Sequence, residues 1–365
     1  MTATLFDPIQ LGDYHLKNRI IMAPMTRARS GPAGIPNELV ATYYAQRASA
    51  GLIISEATAV HPRGDGWPGA PGIYTDEQQA GWRAVADAVH AECGHIFMQI
   101  WHMGRAVLSE SIQGQRALAP SPIAAEGELP NSQGIPTAFD IPEAMSAVQI
   151  TEAVSAFAAA ARRAIDAGLD GVEIHAANNF LIDAFLRDGT NQREDNYGGS
   201  VENRSRFLLE VVDTIIAEIG AGKVGVRLSP TNAVFGISDT DPEAIFTYAA
   251  QQLSKRNLAY LHVLEPALDS GSSMVVGLPS VAPALRKAYD GLMILNGSLT
   301  QETGLSALTS KAADAVAFGI PFISNPDLVD RFRNRIPLTE ANPETFYGGG
   351  AVGYVDYAPK EFERA

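Results

Sequence analysis

Short apolar or β-branched runs alternate along the chain with longer segments of helical character. Apolar strands separated by helices favour parallel pairing with both faces covered, and eight strand–helix units close a (β/α)₈ barrel. We therefore predict a TIM barrel; the alternative, an open doubly wound sheet, would more often be interrupted by a second domain in a chain of this length. The predicted strands are residues 19–23, 52–57, 95–100, 171–175, 224–228, 258–264, 292–295 and 314–318. The predicted helices are residues 37–50, 76–92, 150–167, 202–219, 242–256, 279–289, 301–310 and 325–334.

Two segments fall outside this repeat, and we treat residues 1–365 as one domain that contains both. Leu5–Ile9 and Tyr14–Leu16, on either side of a Gly-Asp turn, predict a small N-terminal hairpin that plugs the barrel floor. Residues 104–149 form a long insertion after the third strand, with five prolines between positions 120 and 142. An ordered insertion of this length is usually functional, so we expect a lid or subdomain over the site.

Composition and charge narrow the class of protein. Hydrophobic residues make up 46% of the 365 positions and charged residues 19%, which is typical of a globular chain with a large core. The net charge is −14 and no basic block stands out, so we expect no nucleic-acid partner. The single cysteine, Cys93, favours a reducing compartment. We expect a cytoplasmic protein without a metal site or membrane span, as a monomer or a homodimer.

Barrel active sites are built from the C-terminal ends of the strands, so the polar residues at those ends are the candidates for chemistry. Glycines after the seventh and eighth strands expose backbone N–H groups where barrels commonly hold a phosphate, although each alone could be an ordinary turn glycine. The polar candidates in strand order are Thr26, Glu56, Thr58, Gln99, Trp101, His175, Asn178, Arg227, His262 and Asn296, and the glycine positions are Gly297-Ser298 and Gly319.

Four of these candidates suggest specific chemistry. Arg227 ends a buried strand, where a lone cation is costly unless an anion or electron-rich group meets it. Gln99 offers both a donor and an acceptor, as an imide-like edge requires. His175 and Asn178 can direct two donors at one oxygen. A single such histidine is more often structural than catalytic, and the pairing with Asn178 shifts that balance.

With these residues in view, the sequence resembles the old yellow enzymes, FMN-dependent ene-reductases on a (β/α)₈ barrel. The resemblance covers almost the whole chain and is carried by LFDPIQLGDYHLKNRIIMAPMTRARS, YYAQRASAGLIISEATAV, FMQIWHMGR, GVEIHAANNFLIDAFLRDGTNQREDNYGGSVENRSRF, VGVRLSP, PFISNPDLVDRF and FYGGGAVGYVDY. It implies bound FMN, NADPH or NADH as hydride donor, and activated alkenes such as enones, enals, maleimides or nitroalkenes as substrates.

The resemblance also implies roles for individual residues. Thr26 would hydrogen-bond the flavin C4 carbonyl, Gln99 would contact the pyrimidine edge, and Arg227 would lie beside N1 and the C2 carbonyl. His175 and Asn178 would hold the carbonyl or nitro oxygen of the substrate so that its β-carbon accepts hydride from flavin N5. The implied substrate pocket is Thr26, Trp101, Phe180 and Tyr354. The implied cofactor site is Pro24, Met25, Thr26, Ala57, Gln99, Arg227, Asn296, Gly297, Ser298, Gly319 and Ile320.

Two positions depart from the pattern of the family. Phe180 stands where relatives usually have a tyrosine that protonates the substrate α-carbon. We expect water or another hydroxyl, such as that of Tyr354, to supply this proton, with a slower oxidative half-reaction for some substrates. Ile320 stands where relatives commonly place an arginine against the FMN phosphate, so we expect weaker FMN binding.

Other functions remain open at this level. Reduction of nitro-esters or nitroaromatics would use the same site. Loss of the tyrosine at position 180 also allows a catalytically weakened flavin-binding protein. A cofactor-free barrel aldolase or isomerase could use the glycines to hold a sugar phosphate, but it would typically carry a lysine or paired carboxylates at strand ends, and no predicted strand ends with a lysine.

Overall fold

The computed structural model describes residues 3–265 and 278–357. Eight parallel strands form a closed barrel, because each pairs with the next along the chain and β8 pairs with β1. The predicted (β/α)₈ fold is confirmed. The barrel strands are β1 (Ile20–Met22), β2 (Leu52–Ile54), β3 (Ile96–Trp101), β4 (Gly171–Ala176), β5 (Val224–Leu228), β6 (Tyr260–Leu264), β7 (Met293–Asn296) and β8 (Ala315–Phe318).

The predicted second strand is too long. Regular pairing stops at Ile54, and a separate two-residue strand, Thr58–Ala59, pairs with the end of β3 at Ile100 and Trp101. Between these two pieces lies Glu56, whose carboxylate accepts hydrogen bonds from the backbone N–H groups of the loop after β1. The second strand is therefore interrupted at Glu56, whose side chain is hydrogen-bonded to the loop after β1.

Helices follow the strands on the outside of the barrel, each where a helix was predicted. Capping boxes begin α2 and α3, at Thr75 with Gln78 and at Ser146 with Gln149, so α3 starts three residues before its predicted start. The helices are α1 (Glu38–Ala45), α2 (Asp76–Ala91), α3 (Ala147–Asp166), α4 (Val201–Ile219), α5 (Pro242–Ser254), α6 (Ala282–Ala288), α7 (Gln301–Thr309) and α8 (Leu328–Asn334).

Two further short helices, Leu181–Leu186 and Ile320–Ser324, lie in the loops after β4 and β8. Every residue of the first is buried, so no alternation of apolar and polar positions marks it in the sequence. In the part of the chain that the structure describes, none of the helices is both long and apolar enough to cross a bilayer.

The N-terminal hairpin closes the floor of the barrel. It pairs Ile9–Leu11 with Tyr14–Leu16, so its first strand begins at the end of the predicted Leu5–Ile9 segment. Leu11 and Leu16 are fully buried in the same apolar cluster as interior residues of the barrel strands. Burial of these two leucines explains why the hairpin covers this end of the barrel and leaves the opposite end for ligands.

The insertion at 104–149 is ordered around short strands, and it contains no α-helix before α3 begins at Ala147. Leu118–Ala119 pairs in parallel with Glu143–Ala144, and Glu128–Pro130 forms an antiparallel hairpin with Pro136–Ala138. Arg105, which is 1% exposed, ties the insertion to the barrel through the carbonyl oxygen of Ala124 and Oδ1 of Asn179. That the insertion acts as a lid stays a prediction.

Candidate active site

A cavity of about 430 Å³ opens at the C-terminal ends of the barrel strands. Its volume lies in the range of small-molecule and cofactor sites. All but three of the residues predicted for the site line it: Pro24, Met25, Thr26, Ala57, Gln99, Trp101, His175, Asn178, Phe180, Arg227, Asn296, Gly319 and Ile320. The structure therefore brings together predicted residues from seven of the eight strands or their following loops.

Arg227, at the end of β5, is oriented by its neighbours. It donates one hydrogen bond from Nη2 to Asn296 Oδ1, 2.9 Å away, and its Nη1 lies 3.2 Å from His262 Nε2. Its Nε is buried and has no hydrogen-bond partner among the described residues. Burial lowers the pKa of Arg227, opposed by the charge of Glu173, but a guanidinium stays protonated in proteins. A buried, unpaired N–H on a cation fits an electron-rich acceptor in the cavity.

A carboxylate beneath the cavity holds Gln99 and His262. Glu173 Oε1 accepts from Gln99 Nε2 at 2.8 Å, and Glu173 Oε2 lies 2.7 Å from His262 Nδ1. Burial alone would raise the pKa of Glu173, but His262 and Arg227 lower it below its ordinary value. Because Glu173 occupies one N–H of Gln99, the second N–H and the amide oxygen remain to meet an imide-like edge.

His175, at the end of β4, presents a neutral ring. Burial, reinforced by the positive charge of Arg227 and by His262, lowers its pKa well below the ordinary value for histidine. Its Nδ1 is buried without a hydrogen-bond partner in residues 3–265 and 278–357. A neutral imidazole carries one N–H, so His175 can donate one hydrogen bond to a ligand without placing a full charge in the site.

Asn178 reaches the cavity from a left-handed turn. Its φ is 59° and that of Asn179 is 64°, a conformation that asparagine tolerates better than most residues. The backbone N–H of Asn178 donates to Ser229 Oγ at 2.9 Å, and its Oδ1 accepts from Asn232 Nδ2 at 2.5 Å. These bonds connect the loop after β4 to the loop after β5 and hold Asn178 beside His175.

Aromatic side chains form the walls of the cavity. Phe180 packs edge-on against both Trp101 and His175, with ring centroids 4.6 and 4.8 Å apart. Trp67 and Tyr347 lie against each other with ring centroids 5.4 Å apart, and Tyr347 is 57% exposed. The cavity therefore has an apolar wall at Phe180 and an aromatic pair at its solvent side.

Tyr354, predicted to wall the substrate pocket, lies elsewhere. It is fully buried and stacks on Tyr43 with ring centroids 4.2 Å apart. The guanidinium groups of Arg27 and Arg29 lie over its ring and bind backbone carbonyl oxygens of the C-terminal segment, which fixes it in the core. The prediction for Tyr354 is wrong because this segment turns after its glycine-rich stretch and presents Tyr347 to the cavity instead.

Several lining residues escaped sequence reasoning. Phe346 and Tyr347 come from the C-terminal segment, Val234 and Phe235 from the loop after β5, and Trp67 from the loop after β2. None of them lies at the end of a barrel strand, where the sequence predicts the functional residues. The aromatic residues of the FYGGG motif were the available signal, and only their distance from any strand hid them.

The phosphate end of the predicted site is partly outside the cavity. Gly319 and Ile320 line it, whereas Gly297 and Ser298 follow β7 directly without lining it. Gly297 and Ser298 have φ of 150° and 56°, and Ile320 is 59% exposed. Their contact with a phosphate stays a prediction. In the part of the chain that is described, no three His, Cys, Asp or Glu side chains are grouped as metal ligands.

This chain is similar to known flavin oxidoreductases over almost its whole length. Residues 4–339 match the NADH:flavin oxidoreductase / NADH oxidase family. The flavin oxidoreductase hxnT of Emericella nidulans is 41% identical over 97% of this chain and 97% of its own length. A probable flavin mononucleotide-dependent alkene reductase of Leishmania infantum is also 41% identical, over 97% of this chain and 96% of its own.

Solved structures of related proteins are similar to this chain in both sequence and fold. The old yellow enzyme homologue from Zymomonas mobilis is 46% identical, with a TM-score of 0.95 over 98% of this chain and 99% of that one. Morphinone reductase in complex with tetrahydroNAD is 44% identical, with a TM-score of 0.93 over 100% of this chain and 99% of that one. In that structure the relative holds a nicotinamide nucleotide analogue.

The fold and the site define an FMN-dependent oxidoreductase of the old yellow enzyme type. The chain belongs to the NADH:flavin oxidoreductase / NADH oxidase family. Its buried donors fit the cofactor, because Arg227 Nε and the free positions of Gln99 are the groups that the N1–C2 edge and the imide edge of a flavin require. The predictions of family, fold, FMN and a nicotinamide hydride donor are confirmed.

Proposed function

We propose that this flavin oxidoreductase reduces the C=C bond of activated alkenes, such as enones, enals, maleimides and nitroalkenes, with NADPH or NADH as hydride donor. When bound, FMN accepts hydride from the nicotinamide nucleotide and delivers hydride to the alkene. The observation that carries the proposal is the neutral, buried His175 beside Asn178 on a cavity that also holds Arg227.

His175 and Asn178 bind the activating oxygen of the substrate. Each donates one hydrogen bond, and two donors directed at one carbonyl or nitro oxygen withdraw electron density from the conjugated β-carbon. Because His175 is neutral, it polarises the oxygen without being consumed as an acid. Removal of one such donor typically costs about 10²–10³-fold in turnover.

Arg227 and Gln99 hold the cofactor edge. The Arg227 cation would stabilise negative charge on bound FMN, and the amide of Gln99 would hold the imide edge of the cofactor. Glu173 and His262 keep both side chains in place from below. Trp101 and Phe180 form an apolar wall that would keep water away from the substrate β-carbon, which accepts the hydride.

Water supplies the proton that completes the reduction. Phe180 has no ionisable hydrogen, and Tyr354 is buried outside the cavity. Tyr347 lines the cavity but is more than half exposed, at the side where solvent enters. The proton therefore reaches the substrate α-carbon from solvent rather than from a positioned phenol.

The test is anaerobic turnover of cyclohex-2-enone by the FMN-loaded protein and by His175→Ala and Asn178→Ala variants. We expect wild type to produce cyclohexanone and each variant to lose at least about tenfold in kcat/KM, because one donor to the oxygen is lost. A wild-type enzyme that reduces its flavin but never forms cyclohexanone would contradict the proposal and indicate a flavin-binding protein.

A further inference from the structure

The side-chain amide of Asn178 is hydrogen-bonded to a second buried amide, that of Asn232, in the loop after β5. Asn232 is 3% exposed, and its Nδ2 donates to Asn178 Oδ1 at 2.5 Å. Asn232 Oδ1 in turn accepts from the backbone N–H of Val234 at 2.8 Å. The two amides thus form a chain of hydrogen bonds that begins at a backbone group and ends at the cavity.

The direction of these hydrogen bonds is set by the backbone N–H of Val234, from which they start. The oxygen and nitrogen of an asparagine amide have nearly the same shape, so an isolated amide can present either atom. The N–H of Val234 can only donate, which commits Asn232 Oδ1 to it and turns Asn232 Nδ2 toward Asn178. Asn178 must then receive that bond on its oxygen, which leaves its own Nδ2 to face the cavity.

The backbone on either side supports this arrangement. The N–H of Asn178 is held by Ser229 Oγ, and Asn179 Nδ2 donates to the carbonyl oxygen of Phe235 at 2.9 Å. The loop after β5 therefore fixes the position of the Asn178 backbone and, through Asn232, the orientation of the amide. A reversed amide would place an oxygen against the oxygen of a carbonyl ligand, which costs a hydrogen bond and adds repulsion.

We propose that Asn232 is a positioning residue that sets the donor polarity of Asn178, and so makes the site select ligands that offer a bare acceptor oxygen. The proposal rests on the proposed function, in which Asn178 donates to the carbonyl or nitro oxygen of the alkene. It adds a residue that does not line the cavity to the determinants of specificity.

The variant that tests the proposal is Asn232→Asp. A carboxylate still accepts from the N–H of Val234, so the loop keeps that bond. Its second oxygen can only accept, and the Asn178 amide must turn its Nδ2 away from the cavity to satisfy it. The substitution thus reverses the polarity of one hydrogen bond with little change in shape.

The readout is equilibrium binding to the oxidised, FMN-loaded protein, followed by the change in flavin absorbance. Cyclohex-2-enone presents only an acceptor, whereas the carboxamide of free nicotinamide presents an acceptor and a donor and can pair with either orientation of Asn178. In Asn232→Asp we expect the Kd of cyclohex-2-enone to rise about tenfold and that of nicotinamide to change by less than about threefold. A general disturbance of the loop structure would instead raise the Kd of both ligands alike.

A double variant separates polarity from the added charge. In the Asn178→Ala background, Asn232→Asp is expected to change the Kd of cyclohex-2-enone by less than about twofold, because the group through which Asn232 acts is gone. An equal loss for both ligands, or an undiminished loss in the Asn178→Ala background, would overturn the proposal. Because binding needs no turnover, this result stands apart from failure of wild type to reduce the enone, which would contradict the proposed function alone.

Discussion

Glu173 Oε2 and His262 Nδ1 lie 2.7 Å apart inside the barrel, and neither side chain is exposed. The pair lies under the candidate active site, where His262 contacts Arg227 and Glu173 holds Gln99. One carboxylate thus offsets the charge of one buried guanidinium while it orients two neighbours of the cofactor site. The stability of the barrel and the geometry of the site depend on the same carboxylate.

Glu173→Gln is therefore expected to destabilise the protein. The substitution keeps the size of the side chain but leaves the Arg227 cation without its buried counter-charge, and loss of one partner of a buried pair costs about 3–5 kcal/mol. Urea unfolding of the protein in excess FMN measures the change. Glu218→Gln is the matched control, because its pair with Arg162 is 46% exposed on both sides and should contribute less than about 1 kcal/mol. Equal losses in the two variants would argue against this role.

Stability should also depend on pH through His102. Burial, with help from His61 and Arg63, lowers the pKa of His102 to about 3. Below the ordinary histidine pKa the unfolded chain binds a proton that the folded chain does not, so stability falls as pH falls. As the pH falls from about 7.5 to about 5, this one histidine should lower the free energy of unfolding by about 2 kcal/mol.

The variant His102→Asn isolates this contribution. The asparagine oxygen can still accept the bond that His102 Nδ1 takes from the N–H of Gly104, while the titrating group is removed. Urea unfolding at several pH values should show a shallower fall in stability for the variant than for wild type. Parallel curves would mean that His102 ionises as readily in the folded protein as in the unfolded chain.

Phe180→Tyr should accelerate the oxidative half-reaction. The new hydroxyl would lie on the ring that packs against His175 and Trp101, and a positioned general acid is worth about 10²–10⁴-fold when proton transfer limits the rate. Because water already supplies the proton in the wild type, we expect the rate of flavin reoxidation by enones to rise only about tenfold. The rate of flavin reduction by NADH, also measured by stopped flow, should not change. Tyr347→Phe is the control and should change neither step. A large loss in that control would identify Tyr347 as the proton donor.

Ile320→Arg should strengthen FMN binding. Ile320 lines the cavity beside Gly319 and is 59% exposed, so an arginine can be accommodated there and would add a charge-assisted contact if the FMN phosphate binds where we predict. Titration of the apoprotein with FMN, followed by fluorescence quenching, should give a Kd about tenfold lower, with the gain shrinking at high salt. Val148→Arg, an exposed apolar-to-arginine change on α3, should leave the Kd unchanged. A gain in both variants would mean that net charge alone is responsible.

The strands and most of the site could be predicted because local pattern and topology agree. Gln99, His175 and Arg227 lie near the C-terminal ends of strands that are buried along their whole length, and a barrel brings such ends together whatever its loops do. The helix Leu181–Leu186 could not be predicted, since a helix buried on all sides has no polar face to reveal its period. Tyr354 was wrongly predicted to line the cavity because the placement of the C-terminal segment depends on arginine contacts from the loop after β1, more than 300 residues away in sequence.

The most direct test of the central claim is an anaerobic titration of the FMN-loaded protein, first with NADH or NADPH and then with cyclohex-2-enone. We predict that the nucleotide bleaches the flavin absorbance and that the enone restores it, with one cyclohexanone formed for each flavin reoxidised. Absorbance that persists after either nucleotide, or that stays bleached in the presence of the enone, would contradict the account.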